Sequence, residues 1–293
     1  MTIIAILLAF TLCHFIRELG RVRKNRWLTS WVGFANEAFG RLPGWVDMLG
    51  FLTILAVPLV VLLLANQVLY AALGTTGAFL LALAVLIYSF GPRDLDTDVA
   101  EILQADDEEK RAADLQALLG GPVPAEEQAC RAATVDAVFL QGLRRWFGVI
   151  FWFALLGVVG ALLYRMVDWL DSEEQQVSGE QRGRFVRLQQ IMDWPAAQLM
   201  TLSLAIATDF DSVYQAWRRY HDEQGHGLFD GDSGFLLAAG RSVVLTGHAA
   251  RDGYAELLSG PMISLQHAMD LTWRMLGVWL TVLALLLLVG VIV

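Results

Sequence analysis

The chain has 293 residues, of which 56% are hydrophobic and only 17% are charged. Soluble domains carry roughly 25% charged residues, so this composition favours a protein that lies in lipid. The formal net charge of -9 excludes a protein that binds nucleic acid through a basic surface. The two cysteines, Cys13 and Cys130, lie far apart in an apolar and a polar stretch, so neither a disulfide nor a thiolate metal site is predicted.

Six apolar segments predict membrane helices. They cover residues 2–16, 51–70, 75–90, 147–169, 196–208 and 275–293. The fourth is the most prominent, because residues 146–170 supply the roughly 20 apolar residues that cross a bilayer, whereas the first and fifth are short for a full crossing. A turn signal in residues 69–78 predicts a hairpin of the second and third segments. We expect an all-α, polytopic membrane protein without an internal repeat.

The positions of lysine and arginine predict the orientation. With six crossings and an outer N-terminus, the inner loops 17–50, 91–146 and 209–274 hold 6, 6 and 5 of these residues. The outer loop 170–194 holds 3, so the arrangement obeys the positive-inside rule. If the fifth segment alone did not cross, residues 170–274 would be exported with 8 arginines. The sequence thus predicts one membrane domain over residues 1–293, with cytoplasmic helical regions at 91–146 and 209–274.

The polar regions are predicted to contain amphipathic helices. In residues 94–103 the apolar side chains recur at helical spacing and leave the acidic ones on another face. Residues 182–192 carry a similar apolar stripe, and Pro195 is suited to the first turn of the helix that follows. Residues 106–127 are acidic and then rich in glycine and proline, which is typical of a solvated loop.

Two groups of charged residues are candidate ligand sites. Arg93 precedes three aspartates, Asp94, Asp96 and Asp98, and these carboxylates could hold a hard cation such as Mg²⁺ together with phosphates. The alternative is that the aspartates cap a helix and complement its dipole.

Arg165, Asp168 and Asp171 form the second group, because they recur every three residues along one edge of a helix near the headgroups. The alternative is that Arg165 pairs with Asp168 while Trp169 anchors the interface. Asp193 is a further candidate at the start of the fifth apolar segment. The sequence contains no P-loop, GxSxG, HExxH or paired CxxC motif, so the usual nucleotide, hydrolase and zinc sites are not predicted.

Four stretches carry a family resemblance: GPRDLDTD at 91–98, FW at 151–152 with GVVGALLYR at 157–165, DWPA at 193–196, and DFDSVYQAW at 209–217. In their order and spacing they resemble the AmpE family, inner-membrane proteins that are associated with β-lactamase induction in Gram-negative bacteria. AmpE belongs to a wider superfamily that includes the CobD/CbiB-type cobinamide phosphate synthases.

The chain departs from the synthase branch just before the FW pair. That branch carries a segment of the type ES-x-x-EN-x-x-D, and its acidic, asparagine and aspartate positions correspond to Leu140, Gln141 and Arg144 here. The synthase sequence NTLDSM resembles residues 168–173, which keep Asp171 but not the asparagine. A ligase that uses ATP needs groups that hold metal and neutralise phosphate. The resemblance therefore implies an AmpE-like member.

What the resemblance implies is a multi-pass regulatory or signalling protein of the cell inner membrane, without catalysis, that modulates β-lactamase induction or a cell-wall-linked antibiotic response. Its polar interface would face a ligand, a partner protein or a second copy of the chain. The interface residues would be Arg93, Asp94, Asp96, Asp98, Arg165, Asp168, Asp171 and Asp193. The alternative is a divergent CobD/CbiB-like membrane ligase that uses ATP and Mg²⁺, with Asp94 and Asp98 as metal ligands.

Overall fold

A computed structural model describes residues 2–15, 26–41, 44–91, 94–171, 179–224, 232–251 and 260–289. This part of the chain is helical and contains no β-strand, so the expected all-α fold is confirmed. The helices are α1 (Thr2–Phe15), α2 (Arg26–Phe39), α3 (Gly50–Leu73), α4 (Thr75–Ser89), α5 (Leu95–Gln104), α6 (Glu108–Leu119), α7 (Glu127–Gly142), α8 (Gly148–Asp171), α9 (Gly179–Ala207), α10 (Phe210–Gln224), α11 (Gly234–Arg251) and α12 (Pro261–Leu288). Two π-helical turns occupy Trp45–Leu49 and Leu143–Phe147.

The helices form two compact units. The first comprises residues 1–92, 148–192 and 286–293, and the second comprises residues 93–147 and 193–285. In the first unit α4 packs against α1, α3 and α8. In the second unit α7 packs against α6 and α11, while α10 packs against α11. Large apolar side chains are fully buried in each unit, among them Ile6 and Leu86 in the first and Phe139 in the second.

Three helical stretches in the described part are long and apolar enough to cross a membrane, namely Gly50–Leu73, Glu127–Asp171 and Pro261–Leu286. Ile3–Cys13 and Thr75–Ser89 are shorter apolar helices. Large apolar side chains point outward from α3, where Leu64 is 61% exposed and Val68 is 66% exposed, as a lipid-facing surface requires. The expected fifth segment, residues 196–208, is largely helical within α9 but is not among these candidate spans.

The predicted hairpin of the second and third apolar segments forms at Gly74. This residue separates α3 from α4 and has a φ of 63° and a ψ of -145°, a backbone conformation that side chains disfavour strongly. Three residues later, a Cβ atom at Gly77 would lie 2.4 Å from the carbonyl oxygen of Leu69. Two glycines therefore let α4 fold back closely on α3.

The same kind of turn, which we call a glycine corner, recurs inside α8 at Gly157. Gly157 has a φ of 64° and a ψ of -146°, and a Cβ atom at Gly160 would lie 2.1 Å from the carbonyl oxygen of Trp152. In a straight helix, residues eight positions apart are separated by about 12 Å. Residues 148–156 and 158–171 are therefore two arms that run back along each other.

A contact further from the corner supports this reversal. A Cβ atom at Gly148 would lie 2.2 Å from Cζ of Tyr164, whereas a straight helix would separate these residues by about 24 Å. The longer arm, residues 158–171, spans about 21 Å, which is less than the roughly 30 Å of a hydrocarbon core. The fourth apolar segment has the expected length and composition, but it turns back at Gly157 instead of continuing as one helix.

The two corners share the sequence Leu-Gly-x-x-Gly, which is LGTTG at 73–77 and LGVVG at 156–160. This five-residue pattern is far shorter than a structural repeat, so the expectation of no internal repeat stays a prediction. Hydropathy reflects composition and therefore does not reveal the conformation of a single glycine.

The acidic stretch at 106–127 contains a helix, so the prediction of a solvated loop there is wrong over its first half. Asp107 accepts a hydrogen bond from the backbone N–H of Glu109 at 3.1 Å and caps α6. Glu108 and Glu109 then lie in the first turn, where the helix dipole favours negative charge. The amphipathic prediction for α5 is confirmed, because Leu95, Val99 and Ile102 are buried.

Pro195 lies inside α9 and does not begin a new helix, so that prediction is also wrong. A proline in a helix removes one backbone hydrogen bond. Packing outweighs this loss, since the neighbouring Ala196, Ala197 and Met200 are fully buried.

Candidate functional site

The second unit contains a compact group of paired charges. Asp98 lies in the first turn of α5, and Arg145 lies in the π-helical turn that follows α7. Nη1 of Arg145 donates to Oδ2 of Asp98 at 2.6 Å, and Nε of Arg145 donates to Oε1 of Gln141 at 2.9 Å. Only 13% of the Arg145 side chain and 16% of the Asp98 side chain are exposed. Charge-assisted bonds at this distance are strong ones.

The neighbouring arginine reaches a second carboxylate. Nε of Arg144 lies 3.5 Å from Oδ2 of Asp193, whose side chain is only 3% exposed. Two consecutive arginines of one π-helical turn therefore hold carboxylates from α5 and from α9. We refer to Asp98, Gln141, Arg144, Arg145 and Asp193 as the arginine–carboxylate cluster.

Two tryptophans connect the next aspartate of α5 to the same turn. Nε1 of Trp273 on α12 donates to Oδ1 of Asp96 at 3.1 Å. The Trp273 ring lies 5.3 Å from the ring of Trp146, which directly follows Arg145. The polar face of α5 is thus fixed by an ion pair at Asp98 and by an indole at Asp96.

Asp94 precedes α5 at its N-cap position with extended backbone angles, and its carbonyl oxygen accepts from the backbone N–H of Asp98 at 3.1 Å. Its side chain makes no capping hydrogen bond. Asp96 and Asp98 lie in the first turn, so the dipole interpretation fits both residues, and Asp98 has the ion pair in addition. Arg93 lies outside the described residues.

The second predicted group lies in the first unit. Nη1 of Arg165 donates to Oδ2 of Asp168 at 2.6 Å, and Arg165 is only 5% exposed. The backbone carbonyl of Asp171 accepts from Nη2 of Arg182 at 3.4 Å. The predicted pairing of Arg165 with Asp168 is confirmed. Of the candidate residues, Asp94, Asp96, Asp98 and Asp193 belong to the second unit, and Arg165, Asp168 and Asp171 belong to the first.

Arg145 and Trp273 complete the second-unit group, although the sequence did not single them out. The only signal for the arginine was a basic pair directly before an apolar run. Trp273 carried no signal, because its partner Asp96 is 177 residues away.

A resident metal ion does not fit these side chains as they are arranged. Among the described residues, no group of three or more histidine, cysteine, aspartate or glutamate side chains is placed to hold a metal. Asp98 gives its Oδ2 to Arg145, so a metal would meet there a carboxylate whose charge is already paired. What the cluster offers as arranged is two guanidinium groups from consecutive residues, and guanidinium is the donor that proteins favour for phosphate and carboxylate.

Comparisons with known proteins identify the family. A family model described as CobD/Cbib protein matches residues 6–256. The cobalamin biosynthesis protein CobD of Stutzerimonas stutzeri (strain A1501) is 30% identical over 178 residues, which cover 54% of this chain and 55% of that protein. The chain therefore spans about half the length of this curated relative. No solved structure matches. The match over most of the chain shows that it belongs to the CobD/Cbib protein family.

Proposed function

We propose that this family member binds a phosphate-bearing ligand at the arginine–carboxylate cluster. The observation that carries the proposal is the pair Arg144 and Arg145, consecutive residues of one π-helical turn that each form an ion pair with a carboxylate. Phosphate oxygens compete well for arginine, because guanidinium matches them with two parallel donors. A ligand that takes these donors would release Asp98 and Asp193.

The first candidate is an ATP- and Mg²⁺-dependent membrane ligase of the cobinamide phosphate synthase kind. The family match and the name of the relative support it. In this candidate the arginines would neutralise phosphate charge, and a carboxylate released from its arginine would be available to the metal that accompanies the nucleotide. Mg²⁺ in such sites needs only one or two protein carboxylates.

The second candidate is an AmpE-like regulator of β-lactamase induction in the inner membrane, which acts through a partner protein or a second copy of the chain. Arg144 favours this candidate, because it places a cation where the synthase branch has an aspartate. This cation pairs with Asp193 and neutralises its charge. In this candidate the cluster senses a ligand without catalysis. A single membrane domain over residues 1–293, with cytoplasmic regions at 91–146 and 209–274, is part of both proposals.

Nucleotide binding by the purified full-length protein separates the candidates. The ligase predicts saturable ATP binding that requires Mg²⁺ and is lost in Asp98→Asn and in Arg145→Gln. Asp222→Asn is a matched control, because Asp222 pairs with Arg218 on an exposed helix face, and it should bind as the unmodified protein does.

Other outcomes favour the regulator or exclude both. Indifference to ATP and Mg²⁺, together with altered β-lactamase induction when the gene is deleted, supports the regulator. If neither ATP nor inorganic phosphate binds and Arg145→Gln leaves induction unchanged, the cluster is not a ligand site and the proposal is wrong.

A further inference from the structure

A cavity of about 390 Å³ lies in the first unit, next to both glycine corners. Its wall is formed by α1, α3, α4 and the tip of α8, and it includes Phe79, Phe153 and Val158. The volume falls within the roughly 300–1,000 Å³ that is usual for ligand pockets. None of the residues that line it is charged, so the cavity is suited to a neutral and largely apolar group.

Three polar side chains line the cavity among these apolar ones. Asn66 and Tyr70 lie one turn apart on the candidate membrane helix α3, and Thr75 follows the corner at Gly74. Within the described part of the chain, none of these side chains makes a hydrogen bond to another protein group. Asn66 is half-buried, whereas Tyr70 (54% exposed) and Thr75 lie at the open rim of the cavity, so the three groups can donate hydrogen bonds to a ligand that enters from the surrounding membrane.

The tip of α8 gives a second reason to expect a ligand here. Gly157, with its non-helical backbone, lines the cavity. Irregular backbone at membrane depth is tolerated where it is buried in protein or lines a water-filled cavity, so a ligand that enters here would replace water at the tip of α8. The cavity thus combines a non-helical glycine and three polar side chains in an otherwise apolar wall.

We propose that the cavity holds one acyl chain of an ester-linked membrane phospholipid, with the ester carbonyl at Asn66, Tyr70 and Thr75. The apolar wall fits the chain, and the three donors fit a neutral acceptor. Because no cation lines the cavity, it offers no counter-ion to the phosphate headgroup, which we place outside it. This inference is independent of the function proposed for the arginine–carboxylate cluster.

Photocrosslinking of the full-length protein tests the proposal. The protein is placed in nanodiscs of phosphatidylethanolamine and phosphatidylglycerol that contain a trace of phosphatidylcholine with a diazirine in one acyl chain. After irradiation, mass spectrometry should map the crosslinks to residues 63–82 and 153–159. Replacing the probe by its ether-linked analogue, which lacks the ester carbonyl, should lower the crosslink yield about fivefold, as expected for one lost hydrogen bond.

Two pairs of variants make the test specific. Asn66→Leu should lower the yield about fivefold, whereas Gln67→Leu, the same kind of change on an adjacent residue outside the cavity, should leave it unchanged. Ala82→Trp should fill the cavity and abolish the crosslinks, whereas the exposed Ala84→Trp should not. If Ala82→Trp does not fold, the pair at Asn66 and Gln67 decides.

Three results would overturn the proposal. The first is crosslinks spread evenly over the lipid-facing helices. The second is equal loss in a variant and its control. The third is displacement of the probe by a long-chain alcohol but not by unlabelled phospholipid, which would assign the cavity to a different class of lipid.

Discussion

Arg145 and Asp98 are separated by 47 residues in the sequence, yet their side chains form a 2.6 Å ion pair that is largely buried. Removing one partner leaves the other charge desolvated. We therefore expect Asp98→Ala to lower the free energy of unfolding by roughly 3 kcal/mol, as measured by denaturant unfolding in detergent. The double variant with Arg145→Met should lose less than the sum of the two single variants, because it leaves no unpaired charge.

The control for this prediction is the pair Arg218 and Asp222 on α10, whose side chains are 68% and 71% exposed. Asp222→Ala should cost less than about 1 kcal/mol, since solvent screens exposed pairs. Equal losses for the two aspartate variants would mean that the buried pair contributes no more than a surface contact.

The corner at Gly157 gives a second prediction. Its φ of 64° and ψ of -146° define a backbone conformation that residues with a Cβ atom rarely adopt. Gly157→Ala should therefore destabilise the protein by about 2 kcal/mol. Gly183→Ala is the control, because Gly183 is an exposed helical glycine with no atom near the added Cβ. That change should be neutral or stabilising by up to about 1 kcal/mol. Thermal unfolding of both variants in the same detergent would reveal the difference, and equal midpoints would contradict the turn.

The close approach of the two α8 arms gives a third prediction. A Cβ atom at Gly160 would collide with the backbone of Trp152, which cannot move aside as a flexible side chain would. We expect Gly160→Ala to cost about 1–3 kcal/mol by forcing the arms apart. Gly277→Ala on α12 adds the same methyl group in open space and should have little effect. Indistinguishable unfolding of the two variants would show that the arms do not touch.

The reversal of α8 also predicts which side of the membrane residues 179–194 occupy. Because the arms turn back, both ends of α8 face the same side, so the segment that follows should share the cytoplasmic side that we propose for residues 91–146. Gly183→Cys should therefore react with a membrane-impermeant maleimide only after permeabilisation, as Ala113→Cys should. Labelling of Gly183→Cys in intact spheroplasts would contradict the reversal and support a single straight crossing by residues 147–169.

The charge distribution fits this revised topology. If residues 147–169 turn back and residues 196–208 do not cross, four crossings remain, and the loops 17–50, 91–146 and 170–274 all lie inside. Every lysine and arginine of the loops is then cytoplasmic, which satisfies the positive-inside rule better than six crossings do. A reporter near Ala113 should be active in the cytoplasm, and one after Val293 should report the periplasm.

Local patterns in the sequence predicted what depends on neighbouring residues. The spacing of Leu95, Val99 and Ile102 was enough to place one face of α5 in the core, and the spacing of Arg165 and Asp168 was enough to pair them. Both are consequences of helical periodicity. The partners of Asp96, Asp98 and Asp193 could not be predicted, because they depend on which helices pack together.

The glycine corners also have an electrostatic consequence. At Gly74 and at Gly157 the carboxyl end of one helix meets the amino end of the next. The partial charges of about -0.5 and +0.5 that helix ends carry therefore lie side by side and largely cancel. Such a turn can sit in a medium of low dielectric constant without a charged side chain to neutralise either end.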